Sequence, residues 1–197
     1  MSGKWRSIME IEKEVRYRVI DKQKIEKIIA NTEELKSRNN VIDLVMGWNG
    51  FDSLNDYGFI CRIRKKNGNI KLECKKRISN EEWNESSIGL ITIKEGYDFL
   101  SLLGMKPYLY INRYRQVRKY KDIDIYIDEV DMLGDFIEIE YQNTDNEKEQ
   151  IESFIESFGI DSEKQKLYGD IFRERVENEK EFHQEFNKRL LEFINNN

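Results

Sequence analysis

The residues able to do chemistry begin in one short stretch near the start of the sequence, residues 10–19. Its charged members alternate with mostly apolar ones: Glu12, Glu14, Arg16 and Arg18 against Lys13, Val15, Tyr17 and Val19. Because successive side chains of a strand point to opposite faces, the charges share one face. A row of acids that runs into a row of bases suits a cation held beside an anion. An ordinary solvated strand carries such a row too, so this stretch alone does not decide between the two.

The same alternation recurs in the strands predicted further along the chain. The further acids are Glu73, Asp128, Glu138 and Glu140, and the further bases are Arg62, Arg64, Lys71, Lys75, Arg113 and Arg115. The repetition favours a closed barrel with helices on its apolar outside and charges around a wet interior, since closure removes the sheet edges. Arginines and lysines suit a polyanion, and carboxylates suit a hard divalent cation, Mg²⁺ or Mn²⁺. The pattern therefore predicts a metal-bound di- or triphosphate as ligand.

Hydrophobic spacing and turn signals predict the elements that position these residues. We predict helices over residues 21–37, 92–103 and 145–158, another from about residue 161, and a charged helical tail over residues 174–197. Predicted strands cover residues 10–19, 41–47, 59–65, 69–76, 108–120, 123–129 and 136–141. Asn67-Gly68 predicts a hairpin turn. Residues 48–58 are predicted as loop, and residues 79–87 as a polar loop that leads into a further strand.

Composition limits the classes of function. The 197 residues are 39% hydrophobic and 36% charged, which predicts a polar globular protein, and the net charge of -5 gives no general footprint for nucleic acid. No apolar run reaches membrane-spanning length and no signal peptide is visible, so we expect no membrane partner and a cytoplasmic location. The two cysteines, Cys61 and Cys74, match no metal spacing or disulfide framework and are predicted to be buried free thiols.

In chain order, these motifs resemble those of the CYTH proteins, also called triphosphate tunnel metalloenzymes. Glu12-x-Glu14-x-Arg16 resembles their ExExK signature, and the resemblance continues through Arg62-x-Arg64, Leu72-x-x-Lys75, Arg113-x-Arg115, Asp128-Glu129-Val130, residues 133–140 and Leu167-Tyr168. It implies an α+β fold, an eight-stranded antiparallel β-barrel that forms a tunnel with a charged interior and helices packed outside. We expect this domain over residues 1–172. A charged helical tail over residues 173–197 would pack on the domain or on a second copy, as in a homodimer.

The resemblance also implies roles for individual residues. It assigns metal binding to Glu12, Glu14, Asp128, Glu138 and Glu140, and triphosphate binding to Arg18, Arg62, Arg64, Lys75, Arg113 and Arg115. Glu12 and Glu14 are also candidates for orienting water, with Arg16 as their catalytic neighbour. Lys71 joins the substrate-binding set because it shares a strand face with Lys75.

Three functions stay open at this point. The first is a metal-dependent phosphohydrolase acting on inorganic triphosphate, thiamine triphosphate or a nucleoside triphosphate. The second is a class IV adenylyl cyclase that makes cyclic AMP from ATP, and the third is a polyphosphate- or nucleotide-binding module without turnover. The signature lysine is Arg16 here, and no tyrosine follows Asp43 on the second strand. Both differences weaken the case that this chain uses the lysine–tyrosine pair that assists water attack in some family hydrolases. The histidine-phenylalanine motif of some family cyclases is also missing from residues 4–9.

Overall fold

The computed structural model describes residues 13–78, 83–141 and 144–197, without the side chains of Lys13 and Trp83. Its strands are β1 Lys13–Val19, β2 Glu33–Gly47, β3 Phe59–Lys66, β4 Asn69–Arg77, β5 Trp83–Leu90, β6 Lys106–Tyr120, β7 Ile123–Val130 and β8 Gly134–Tyr141. Its α-helices are α1 Lys22–Asn31, α2 Ser53–Tyr57, α3 Ile93–Leu102, α4 Asp145–Phe158, α5 Tyr168–Asn178 and α6 Lys180–Asn195, with a short 3-10 helix at Gly50–Asp52. The predicted α+β class is confirmed.

One antiparallel sheet contains all eight strands, in the order β1-β8-β7-β6-β2-β3-β4-β5. The prediction of eight antiparallel strands is confirmed. Closure into a barrel is not: within the described residues, β1 and β5 are the two edges and no hydrogen-bonded ladder joins them. The β3–β4 hairpin turns at Asn67-Gly68, where both residues have positive φ, as a tight hairpin turn requires.

Two hydrophobic clusters join the sheet to the helices. One contains Ile28 of α1 and Phe154 of α4 over β1, β7 and β8. The other joins β2, β3 and β6 to α3, α5 and α6, through residues such as Leu100, Phe172 and Phe186. The helices therefore cover apolar strand residues such as Ile63 of β3 and Ile139 of β8, and the residues next to these along each strand point to the other side.

The predicted helix over residues 21–37 is too long. Asp21 caps α1 as expected, but the helix ends at Asn31 and Thr32 is extended. Residues 33–36 instead pair with β6, Glu33 with Lys119 and Lys36 with Val117. Long-range strand pairing has overridden local helix propensity, which is a weak preference per residue. As a result Lys36 lies on a strand.

Two smaller predictions also change. The helix expected from about residue 161 begins at Tyr168, because Lys164 forms a bridge with Tyr17 and Gln165 donates a backbone hydrogen bond to Arg16. The loop predicted over residues 48–58 contains the 3-10 helix and α2. The charged tail is helical, and Phe182, Phe186 and Leu190 bury its apolar stripe in the same cluster as β2 and β6.

Candidate functional site

A cavity of about 360 Å³ lies on the charged side of the sheet. All eight strands contribute side chains to its wall, from Glu14 and Arg16 on β1 to Lys75 on β4 and Glu85 on β5. The sheet therefore curves around this space even though its edges are not hydrogen-bonded. Eight basic residues line it, Arg16, Lys36, Arg62, Arg64, Lys66, Lys75, Arg113 and Arg115, together with six acidic ones, Glu14, Asp43, Glu85, Glu138, Glu140 and Asp170.

One buried network joins β1, β6, β7 and β8. Arg16 Nε lies 3.2 Å from Glu138 Oε2, and Arg115 Nη2 lies 2.7 Å from Glu138 Oε1. Arg115 also donates a hydrogen bond of 2.6 Å to each carboxylate oxygen of Asp128. The Tyr168 hydroxyl donates a further hydrogen bond to Asp128, at 3.0 Å. Burial opposes ionisation of Glu138, yet Arg115, Arg16 and Arg113 hold its pKa well below the usual value. The network fixes the guanidiniums in place.

A second network joins β2, β3 and β6. Arg64 makes two hydrogen bonds to Asp43, Nε to Oδ1 at 2.6 Å and Nη2 to Oδ2 at 2.9 Å, and Arg113 Nη1 reaches Asp43 Oδ2 at 2.8 Å. Asp43 is 1% exposed, and although burial opposes its ionisation, Arg64, Arg113 and Arg62 hold its pKa well below the usual value. Next to it, Arg62 Nε bonds Glu73 at 2.6 Å.

Positive charge is left over at one end of the cavity. Lys36 and Lys66 line it, and neither forms an ion pair with a described carboxylate within 4.0 Å. Burial and then the neighbouring cations Arg115, Lys36, Arg64 and Arg113 lower the pKa of Lys66. Arg113 Nε, by contrast, makes no hydrogen bond but lies 3.5 Å from Asp128 Oδ2, so the excess charge is on the two lysines. Such a group of donors is complementary to an anion.

The opposite end of the cavity has more apolar residues, together with the charged pair Lys75 and Glu85, which lies level with Ile60. On β3 the inward residues run Ile60, Arg62, Arg64, Lys66, and on β6 they run Leu109, Ile111, Arg113, Arg115. Val45 pairs with Leu109 on one side and with Arg62 on the other, so apolar residues of β2 and β6 lie at the same level as Arg62 of β3. Phe51, Leu54 and Tyr108 also line the cavity, and the Arg173–Asp52 ion pair at 2.7 Å ties α5 to the 3-10 helix there. The cavity is thus graded from apolar to basic.

The carboxylates that could hold a metal lie on β1 and β8. Glu14 pairs directly with Glu140 in the strand register, and Arg16 with Glu138. Glu14 Oε1 accepts from Arg16 at 3.2 Å and Glu140 Oε2 accepts from Tyr126 at 2.7 Å. Among the described residues, no group of three or more His, Cys, Asp or Glu is arranged for a metal ion. Two facing carboxylates nevertheless match how Mg²⁺ is usually held, by one or two carboxylates together with substrate phosphates.

The structure gathers most of the predicted site residues but not all. Glu14, Arg16, Arg62, Arg64, Lys75, Arg113, Arg115, Glu138 and Glu140 line the cavity, and Asp128 is fully buried behind it in contact with Arg115. Arg18 is exposed, bonds the carbonyl of Leu133 at 3.3 Å, and lines a separate depression. Lys71 is exposed and is not part of the cavity wall. Glu12 lies outside the described residues.

Sequence analysis assigned no role in the site to several residues that shape it. Asp43 and Tyr168 hold the arginines: the Arg16 guanidinium lies 4.1 Å from the Tyr168 ring centroid, and Asp43 binds two arginines. Lys66 stands next to the hairpin turn, in the same alternation as Arg62 and Arg64, so the period of two could have identified it. Lys36 gave no such signal because its segment reads as helix.

Comparison with solved structures supports the fold. A conserved hypothetical protein from Pyrococcus furiosus aligns with a TM-score of 0.67 at 20% identity, over 81% of this chain and 98% of its own. A putative adenylate cyclase from Vibrio parahaemolyticus gives 0.65 at 15% identity, over 84% and 99%. A putative adenylyl cyclase from Hippeastrum, described as having a dominant triphosphatase activity, gives 0.65 at 18% identity, over 84% and 96%. At these identities the likeness is one of fold.

The sequence itself decides the family. No curated protein matches it. No helix among the described residues is long and apolar enough to cross a membrane. Residues 54–168, more than half of the 197, match the CYTH domain model, which spans strands β3 to β8 and the charged wall they form. The resemblance first suggested by the motifs is confirmed, and this chain belongs to the CYTH family.

Proposed function

We propose that this protein is a divalent-metal-dependent phosphohydrolase that acts on a triphosphate bound in the cavity. The observation that carries the proposal is the convergence of five arginines and three lysines on one cavity, two of the lysines without an acidic partner among the described residues. Guanidinium groups bind phosphate oxygens in pairs, and a row of them matches a row of phosphates. The Hippeastrum neighbour with triphosphatase activity supports the same class of reaction.

The graded lining favours a triphosphate that carries an organic group. Phe51, Leu54, Ile60 and Tyr108 form an apolar end of the kind that receives an aromatic ring. Arg64, Arg113 and Arg115 lie beyond it towards Lys66. In the proposed orientation the organic group faces the apolar end, and the terminal phosphates face the arginines together with Lys36 and Lys66. Thiamine triphosphate and nucleoside triphosphates both have this form.

The carboxylate pair Glu14 and Glu140 fits Mg²⁺ or Mn²⁺ because both are hard oxygen donors that face each other across one strand pair. Glu12 is proposed as a further ligand from the motif alone. The carboxylates of Glu138 and Asp128 already accept hydrogen bonds from arginines, Glu138 from Arg16 and Asp128 from Arg115. When bound, the metal would supply charge neutralisation at the phosphates.

The protein's own groups would do the rest. Arg64, Arg113 and Arg115 hold the phosphates in line and spread the negative charge that develops at the transferring group. Glu14, partly exposed in the cavity, would accept a hydrogen bond from the attacking water. Arg16 keeps Glu14 and Glu138 apart and oriented, but a guanidinium does not give up a proton at neutral pH, so its role is positional.

A class IV adenylyl cyclase is the second candidate, because the apolar end would accept adenine as readily as another ring. There the ribose hydroxyl replaces water as nucleophile and pyrophosphate leaves. One experiment separates the candidates: the protein is incubated with Mg²⁺ or Mn²⁺ and, separately, tripolyphosphate, thiamine triphosphate and ATP. Metal-dependent release of orthophosphate supports the hydrolase, and cyclic AMP with pyrophosphate supports the cyclase. Thermal protection by these ligands without any turnover would overturn both and leave a binding module.

A further inference from the structure

The two cysteines lie on the face of the β3–β4 hairpin that is turned away from the cavity. Cys61 is directly opposite Cys74 in the strand register, and their sulfur atoms are 2.6 Å apart. Directly opposed residues of antiparallel strands have Cα atoms about 4.5–5.5 Å apart, within the range that a disulfide spans. The backbone therefore holds the two thiols close enough for a disulfide to form with only a small movement of the side chains.

The two thiols differ in their surroundings. Cys61 is 3% exposed and belongs to the hydrophobic cluster with Ile63 and Leu100, whereas Cys74 is only partly buried at its edge. Cys74 is therefore the more accessible of the two cysteines. In addition, the hydrogen bond between the two sulfurs lowers the pKa of Cys74 to about 7 and raises that of Cys61. The accessible cysteine is thus also the one with the greater thiolate fraction near neutral pH.

We propose that Cys61 and Cys74 are a redox modification site, an intramolecular disulfide that forms reversibly against a small disulfide such as oxidised glutathione. No residue of the cavity wall takes part. The bond would close a loop of the hairpin between positions 61 and 74 and would cross-link the two strands that carry Arg62, Arg64 and Lys75 on their other face.

The exchange takes two steps. The Cys74 thiolate attacks one sulfur of oxidised glutathione, which forms a mixed disulfide on Cys74 and releases one glutathione thiolate. Cys61 then loses its proton and attacks Cys74 Sγ, which forms the Cys61–Cys74 bond and releases the second glutathione thiolate. The two protein thiols lose two electrons and two protons in total. One glutathione disulfide gains the two electrons, and its two thiolates take up the protons.

The test equilibrates the folded protein in an oxidising glutathione mixture, blocks free thiols with an alkylating agent, and digests it with trypsin without reduction. The sequence predicts one cross-linked pair of tryptic peptides, residues 39–62 and 72–75, which separates on reduction. The melting temperature of the oxidised protein should rise by roughly 5 °C, since the bond restricts the unfolded chain. Two alkylated cysteines, or glutathione retained on the wild-type protein, would overturn the proposal.

Two variants test which cysteine attacks oxidised glutathione and which cysteine resolves the mixed disulfide. Cys61→Ala, a small apolar replacement for a buried thiol, should retain one glutathione on Cys74, because no second thiol resolves the mixed disulfide. Cys74→Ser should take up no glutathione while folded, because Cys61 is shielded. An equal adduct on both variants at unchanged melting temperature would show that the thiols react independently, which contradicts the proposal. The wild-type peptide map decides the question even if either variant fails to fold.

Discussion

Asp43 and Arg64 form a two-point ion pair across the β2–β3 ladder, with Nε–Oδ1 at 2.6 Å and Nη2–Oδ2 at 2.9 Å. The carboxylate is buried, whereas the arginine side chain is 20% exposed on the cavity wall. Asp43 also holds Arg113, so one carboxylate from the second strand sets the position of two bases from two other strands. The arginines are held in the cavity wall because a buried carboxylate of the same wall balances their charge.

The first prediction is that Asp43→Asn destabilises the protein and weakens phosphate binding. The change leaves two guanidiniums without their buried counter-charge, which typically costs about 3 kcal/mol or more of unfolding free energy, reduced here by the exposure of Arg64. Chemical denaturation measures the loss. The matched control is Asp124→Asn on β7, whose pair with Lys119 is about one-third exposed, so a change below about 1 kcal/mol is expected. Equal losses in both variants would contradict the role given to Asp43.

The second prediction concerns the thermal stability of the protein at acidic pH. The pKa values of Asp43 and Glu138 are lower in the folded protein than in the unfolded chain. Such groups add stability above the unfolded pKa of about 4, and this stability is lost as the pH falls towards the folded values. Melting temperatures should therefore change little from pH 8 to about 5.5 and fall steeply below about pH 4. Asp43→Asn should show a shallower acid fall, and an unchanged slope would mean that Asp43 is not the group involved.

These carboxylates also show what the sequence could and could not provide. Alternation on β1, β3, β6 and β8 was enough to predict that Arg62, Arg64, Arg113, Arg115 and Glu138 share one interior, because side-chain direction in a strand depends only on its period. The α4 helix and the β3–β4 hairpin were predicted with nearly the observed bounds, since a cap or a turn motif marks them locally.

Features that depend on pairing between strands far apart in the sequence could not be predicted from local sequence patterns. Residues 33–37 have helix-like sequence and become strand only through their ladder with β6, so Lys36 was missed. Arg18 shares its face with Arg16 but lies beyond the cavity, because period fixes the face of a strand and not how far the cavity extends along it. Closure of the sheet likewise depends on where strands β1 and β5 end in space, which no local pattern encodes.

The third prediction is that Lys66→Ala raises the stability of the free protein and reduces its stabilisation by tripolyphosphate. Lys66 is partly buried next to Arg115, Lys36, Arg64 and Arg113, so removing it relieves repulsion in the absence of ligand. Thermal melts with and without tripolyphosphate measure both effects. Lys65→Ala removes the same charge from the neighbouring residue, whose side chain is not part of the cavity wall, and should change neither. A parallel loss in the two variants would point to net charge alone.

The fourth prediction separates the two glutamates of β8. Glu140→Gln should lower metal-dependent turnover by at least tenfold with little change in melting temperature, because it removes a hard donor opposite Glu14 from a partly exposed position. Glu138→Gln should lower the melting temperature as well, because Arg16 and Arg115 lose a buried counter-charge. Activity assays over a range of Mn²⁺ concentrations and thermal melts distinguish the two. Full activity of Glu140→Gln at low metal would remove Glu140 from the proposed ligand set.

The last prediction concerns the phosphate chain. If Arg64, Arg113 and Arg115 hold successive phosphates, tripolyphosphate at a hundredfold excess over its dissociation constant should stabilise the protein by about 2.7 kcal/mol. Monophosphate and sulfate should do far less at equal ionic strength, because each engages fewer of the bases. Arg64→Ala should weaken the tripolyphosphate effect, and Arg64→Lys should restore only part of it, since an ammonium group cannot make the two-point contact.

Arg38→Ala is the matched control, an arginine on β2 that is 53% exposed, pairs with Glu129 and is not part of the cavity wall. Equal stabilisation by all three anions, or equal losses in Arg38→Ala and Arg64→Ala, would show a response to ionic strength, and the cavity would no longer be a phosphate site.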